Sequence, residues 1–212
     1  MRLNPERVGQ RLRAFDFDRL FIEELGWDRC RASLSVEVDG TTWTLRAIAE
    51  KRDVVAYECL PPGAVGLPDY ATRSRIEQQV ARQVHEHLII FTDGRRTTQV
   101  WQWVRREPGK PLARREHHYT TAQSGLPLCQ KLQAIAFSLD EEEGLTITDV
   151  TSSVRAAFDV ERVTKRFYDE FTKERAAFEK FLSGIPDADM GRWYVSVMLN
   201  RLMFIYFIQK KG

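Results

Sequence analysis

The spacing of apolar residues changes rhythm several times along this chain, and each change marks an element. Residues 6–25 carry Leu12, Phe15, Leu20, Phe21 and Leu25, mostly spaced for one helical face, and Gly26-Trp27 closes the run, so the chain is expected to open with a helix. Ser33 to Val38 alternates polar and apolar positions, Asp39-Gly40 is a strong hairpin turn, and residues 41–48 alternate again. Residues 50–53 read as a second polar turn before a short strand, Val54 to Leu60, which Pro61-Pro62-Gly63 stops. One helix and three antiparallel strands are therefore expected first.

Residues 69–85 place Ile76, Val80 and Val84 four apart among charged positions, the pattern of an amphipathic helix. Leu88-Ile-Ile-Phe-Thr92 is a continuous apolar run suited to a strand buried on both faces; Asp93-Gly94 turns, and residues 98–104 alternate as the next strand. A polar strand over 116–121 is expected at the sheet edge. Helical periodicity then covers 126–142 and 159–182, and Gly184-Ile-Pro186 separates a last helix. Residues 193–208 are apolar on nearly every side, broken only by Asn200 and Arg201; a helix apolar all round sits inside a larger protein. The chain is thus expected to be a fragment whose parent continues past Gly212. The order predicts an α+β domain over residues 1–123 and a helical arm over 124–212.

With 43% hydrophobic residues in a chain of 212, a substantial core is available. The net charge of +2 does not by itself announce a polyanion ligand. Its distribution says more: arginines outnumber acids from Arg73 to Arg115, and acids dominate from Asp140 to Asp189. Cys30, Cys59 and Cys129 are odd in number and widely spaced, which argues against a disulfide framework and a structural zinc site. No signal core follows the N-terminus and no comfortable membrane span is present, so a cytoplasmic protein is expected.

The order helix, three-stranded meander, helix, buried strand resembles the core of PD-(D/E)xK nucleases, and Leu88-Ile-Ile-Phe-Thr-Asp-Gly94 is similar to the strand and turn that follow its second helix. The resemblance implies two carboxylates holding Mg²⁺ and a lysine that positions the attacking water. Glu58 falls at a matching place on the third strand, but the lysine position is Leu60, which can neither donate a hydrogen bond nor carry charge. Asp39 is the candidate second carboxylate, although the turn preference favours reading it as the Asp of an Asp-Gly turn. Glu50 and Lys51 are adjacent, so on one strand they point to opposite faces. Lys51 is the candidate substitute for the missing lysine. Glu23 and Glu24 stand where some of these nucleases place an acid on the first helix, or on a solvated helix face.

Arg73, Arg75, Arg82, Arg95, Arg96, Arg105, Arg106, Lys110, Arg114 and Arg115 have the chemistry to grip a phosphate backbone or to form an ordinary solvated surface. Trp101 and Trp103 share one side of a strand and fit core packing better than base stacking. His85, His87, His117 and His118 lack ligand spacing and read as surface or capping residues. No glycine-rich phosphate loop, nucleophile elbow or zinc-protease motif occurs.

A more specific resemblance lies further on. Phe158-Asp-Val-Glu-Arg-Val-Thr-Lys-Arg-Phe-Tyr-Asp-Glu-Phe171, Trp193, and Leu199-Asn-Arg-Leu-Met-Phe-Ile-Tyr-Phe-Ile-Gln-Lys-Lys-Gly212 are similar to the helical connector of type IIG restriction-modification enzymes and related phage-defence DNA methyltransferases. Leu20-Phe-Ile-Glu-Glu-Leu-Gly-Trp27 resembles the opening of these proteins. The resemblance implies a nuclease-like domain and connector that precede an S-adenosylmethionine-dependent adenine methyltransferase, with double-stranded DNA and that C-terminal methyltransferase domain as partners. The methyltransferase's glycine segment and Asn-Pro-Pro-Tyr type tetrapeptide do not occur in these residues, so no cofactor is expected within them. The leading expectation is a DNA-contacting and positioning region with a degenerate nuclease-like domain. The runner-up is an active Mg²⁺-dependent endonuclease in which Asp39 and Glu58 hold metal and Lys51 assists; the third is a non-catalytic interaction scaffold.

Overall fold

The computed structural model describes residues 2–63, 66–106, 109, 112–158, 160–185 and 187–211. At the N-terminus the side chain of Asn4 accepts the backbone N–H groups of Glu6 and Arg7 and starts α1 (Pro5–Ala14), with Pro5 in the first turn, where its missing N–H costs nothing. The single helix expected over 6–25 is in fact two. Phe15 takes a left-handed conformation at φ 55°, and Asp16 then caps α2 (Phe17–Arg19), which runs on into a wider π turn, Leu20–Glu24. The break lets Leu12, Phe17, Leu20 and Phe21 all reach one core.

Four strands follow: β1 (Asp28–Arg29), β2 (Ser33–Val38), β3 (Thr41–Lys51) and β4 (Val54–Leu60). The β2–β3 turn has both Asp39 and Gly40 at positive φ, which suits the right-handed twist of a hairpin. Arg52 and Asp53 also have positive φ, so the second turn needs only those two residues. Glu50 and Lys51, expected in that turn, belong to β3. Asp69 caps α3 (Tyr70–Ala81) by accepting from the Thr72 N–H. The chain then returns as β5 (His87–Thr92), which lies parallel to β4, and continues antiparallel as β6 (Thr98–Arg105) and β7 (Ala113–Thr120). The result is an open, mostly antiparallel seven-stranded sheet in the order β1-β3-β4-β5-β6-β7, with β2 also on β3 and β7 at an edge. The α+β class follows directly.

Helices cover both faces. On the first, Leu12, Phe17 and Phe21 pack with Ala56, Leu88, Ile90, Trp101 and Trp103; Trp101 stacks on Phe21 and meets Phe17 edge-on. On the second, Ile76 and Val80 of α3 cover Leu45, Tyr57, Cys59, Ile89, Phe91 and Val100. Each such apolar side chain contributes about 1.5–3 kcal/mol on full burial. β5 is buried at every position, as its unbroken apolar run predicts.

The segment after the sheet differs from expectation. In place of one helix over 126–142 there are α4 (Leu126–Leu132), a 3-10 turn (Gln133–Ile135), a second 3-10 stretch (Leu139–Gly144) and then α5 (Ile147–Phe158). Backbone groups at the interruption are taken by distant partners: Trp27 Nε1 donates to Ile135 O at 2.9 Å, and Phe137 N donates to Leu25 O at 2.9 Å. Val150, Val154 and Phe158 of α5 are buried with Leu128 and Leu132 of α4 in the first-face core. The first compact unit accordingly runs Met1–Asp159, and the expected boundary at 123/124 falls inside it.

The second unit, Val160–Gly212, pairs α6 (Val160–Phe181) with α7 (Ala188–Lys211). On α7, Trp193, Leu202, Phe204, Ile205, Phe207 and Ile208 are all more than half exposed. Among the described residues no helix is long and apolar enough to cross a membrane.

Candidate functional site

β4 occupies the middle of the sheet, and its alternation turns Glu58 toward the face covered by α1 and α2, directly across from Arg46 on β3. Glu58 is 1% exposed. Arg46 Nη2 donates to one carboxylate oxygen at 2.8 Å and Arg96 Nη2 to the other at 3.3 Å. Arg46 reaches outward as well, with Nη1 at 2.8 Å from both oxygens of Asp18. Arg96, in the β5–β6 turn, is held by its position over the Phe15 ring, 5.5 Å from the centroid, and by a 3.4 Å bond to Phe15 O. The left-handed Phe15 that splits the first helix therefore also places an arginine on Glu58. Beside them, Gln99 donates to Leu12 O at 2.6 Å and accepts from Trp101 Nε1 at 3.0 Å. The adjoining Cys59 faces the opposite core, where burial pushes its thiol up to about 12.

The other two candidate catalytic residues stand elsewhere. Lys51 shares the face of Glu58 but lies across from Val54, four positions along the strand and so about 13 Å away. Its buried ammonium is engaged by Glu142 at 2.6 Å and Asp28 at 3.4 Å. Asp39 sits at the exposed tip of the β2–β3 hairpin, paired with Arg75 of α3 at 2.6 Å. Glu24 is buried against Arg7, and Glu23 pairs with Arg11. Among the described residues no group of three or more His, Cys, Asp or Glu gathers. The donor set around Glu58 does not fit Mg²⁺: a cation there would have to displace two guanidinium groups that already neutralise the carboxylate.

The arginines divide among several environments. Arg73, only 7% exposed, forks onto Glu116 of β7 at 3.0 and 2.7 Å and donates to Pro68 O at 2.6 Å. Arg106 bonds Glu77, and Arg114 Nε lies 3.7 Å from the same carboxylate. Arg75 pairs with Asp39, Arg82 donates to Gln79 at 3.1 Å, Arg95 is exposed in the β5–β6 turn, and Arg96 is on Glu58. Arg105 and Arg115 are half-buried and have partners; Arg115 alternates with Arg114, so the two point to opposite faces of β7. Lys110 lies outside the described residues. The set as a whole does not share one surface.

What the sequence reading missed is the buried polar cluster beneath α3. Arg73 and Glu77, one helical turn apart among the charged positions that flank the apolar stripe of α3, both face the sheet. Gln102 donates to Glu116 at 2.8 Å, and His87 Nε2 stands 3.6 Å from Glu77. Burial pushes the Glu116 carboxyl up, yet the Arg73 fork and the Gln102 bond outweigh it and hold it below the usual carboxylate range. Burial lowers His87, whose Nδ1 is bonded to Val84 O at 2.8 Å. His87 is thus a core histidine, not a surface one. Trp101 and Trp103 are core residues, as their alternation predicts. Compared with protein-family models, curated proteins and solved structures, the chain matches none.

Proposed function

We propose that this chain is the N-terminal DNA-contacting and positioning region of a restriction-modification or phage-defence DNA adenine methyltransferase, built on a PD-(D/E)xK-like domain that no longer cleaves. The helix, meander, helix and parallel strand of residues 5–92 support the nuclease-like frame. The observation that carries the choice against cleavage is the bracket of Arg46 and Arg96 around Glu58, with Asp39 and Lys51 engaged elsewhere. Glu58 in this reading is a structural anion that ties β3 and the β5–β6 turn to the sheet centre. The similarity of residues 158–171 and 199–212 to a connector supports the link to a methyltransferase. S-adenosylmethionine would bind in that domain, and the exposed apolar residues of α7 would pack against it.

The test is cleavage of duplex DNA with Mg²⁺ or Mn²⁺ by the chain and by Glu58→Ala, alongside duplex binding at two salt concentrations. The proposal expects no cutting and binding that weakens steeply with salt, because each neutralised phosphate contributes a slope of about −0.9 in log K against log salt. Metal-dependent cutting abolished by Glu58→Ala would overturn it in favour of an active endonuclease. Neither cutting nor binding would leave an interaction scaffold.

A further inference from the structure

Beside the Glu58 bracket, the sheet edge opens into a cavity of about 290 Å³. It exists because β1 and β2 pair with the same side of β3 without being continuous. Arg29 pairs across from Ala49 and Ser33 across from Arg46, and the three residues between them leave Ile48 without a strand partner on that side. One bond, Ala47 N to Ala32 O at 3.0 Å, pins this short excursion. Arg29, Arg31, Ser33, Arg46 and Asp18 line the opening.

Its charges do not balance. Asp18 gives both oxygens to Arg46, whose other nitrogen is on Glu58, so those three groups are spoken for. Arg29 and Arg31 are exposed, and among the described residues their side chains have no hydrogen-bond or ion-pair partner. Spaced two apart, they line the same cavity. Two guanidinium groups and a hydroxyl lining one concave opening supply donors in the number that a tetrahedral oxyanion with several acceptor oxygens can use. The cavity is at the small end of ligand sites, large enough for a phosphate and the group that bears it.

We infer that this cavity binds a phosphate group, with Arg29 and Arg31 as its principal contacts and Ser33 as a third donor. The phosphate belongs either to a nucleic-acid backbone, which rests on the function proposed above, or to a small phosphorylated molecule, which does not. Neither arginine lies in the Arg73 to Arg115 segment, so the site is separate from the basic residues that sequence composition draws attention to.

The experiment uses the whole chain, the double variant Arg29→Gln/Arg31→Gln, and Lys173→Gln/Lys180→Gln, which removes two exposed charges from α6. Inorganic pyrophosphate is titrated by calorimetry, and a fluorescent duplex by anisotropy over a salt series, with urea unfolding to confirm that each variant is folded. A backbone phosphate site predicts at least about a tenfold loss of duplex affinity in the arginine variant and a salt slope reduced by about two, with the lysine variant unchanged. Pyrophosphate binding lost while duplex binding is unchanged supports the cavity with a small phosphorylated ligand. The same loss where the parent chain binds no duplex supports the cavity and removes the DNA reading. Duplex binding that ignores Arg29 and Arg31, with no pyrophosphate bound, overturns the cavity and leaves the DNA reading in place. No binding of either probe overturns both.

Discussion

Arg73 offers the sharpest separation between a DNA contact and a structural cation. Its side chain is 8% exposed and forks onto a Glu116 side chain that is 12% exposed, so replacing it with Met leaves that carboxylate with Gln102 and, 3.4 Å away, the exposed His118 ring. Breaking such a pair from one side costs about 3–5 kcal/mol, and the remaining Gln102 bond argues for the lower end. With a urea dependence of about 2 kcal/mol per molar for a domain of this size, the midpoint should fall by about 1.5 M. Trp193 is the one tryptophan outside the first unit, so fluorescence in a Trp193→Phe background reports on that unit alone. The pH dependence follows from the sign of the shift. In the parent chain Glu116 lies below its ordinary value of 4.5, so its contribution is present above that value and is lost as pH falls through the folded-state pKa. Without Arg73, burial dominates and raises Glu116, a penalty that vanishes on acidification. The difference between the two proteins should therefore be widest near neutrality and shrink below about pH 5. Replacing both Arg73 and Glu116 with Met should recover most of the loss. A midpoint shift under about 0.5 M, a double variant no better than the single, or a duplex affinity that drops while stability does not, would refute the assignment.

Three further outcomes are expected. Glu58→Gln should lower stability by about 1–2 kcal/mol, since one formal charge is lost from a buried carboxylate whose two arginine partners are partly solvated; urea unfolding measures this, and an unchanged midpoint would contradict an anchoring role. His117 is held down to about 4 by burial and by the neighbouring Lys131 and His118 charges, so its NMR titration midpoint should lie near there, and its contribution should be present above the unfolded value and lost as pH falls toward the folded one; a midpoint above 6 would show the ring to be solvated. Gly26→Ala should destabilise by at least about 2 kcal/mol, because Gly26 has φ 70° and an added Cβ would collide with Phe137 O; a neutral thermal melt would refute the close approach of these two segments.

Much of the sheet was legible because its signals are local. The Asp39-Gly40 turn, the alternation that turns Trp101 and Trp103 inward, the doubly buried β5 and the apolar stripe of α3 each depend on residues within one element or its immediate neighbours. Where distant groups compete for the backbone or the side chain, local periodicity misleads. The helix expected over 126–142 is interrupted by partners more than 100 positions away, as with the 2.9 Å bond from Trp27 Nε1 to Ile135 O. The opening helix breaks at Phe15, whose ring then lies under Arg96.

The candidate site divides the same way. The resemblance to a nuclease core singled out Glu58 on the third strand, and composition marked the arginines as an unusual concentration of charge. It could not say that Arg46 and Arg96 close on Glu58, that Lys51 is spent on Glu142 and Asp28, or that Arg73 is paired inside the protein with an acid 43 positions along the chain. Sequence by itself determined the α+β class, the main strands and the apolar faces, because hydrophobic burial acts through a repeat that each element carries in its own residues. Tertiary structure alone decided which charges were neutralised and which were left facing solvent, because a salt bridge is fixed by distance in space, and these partners are far apart along the chain and adjacent only in the fold.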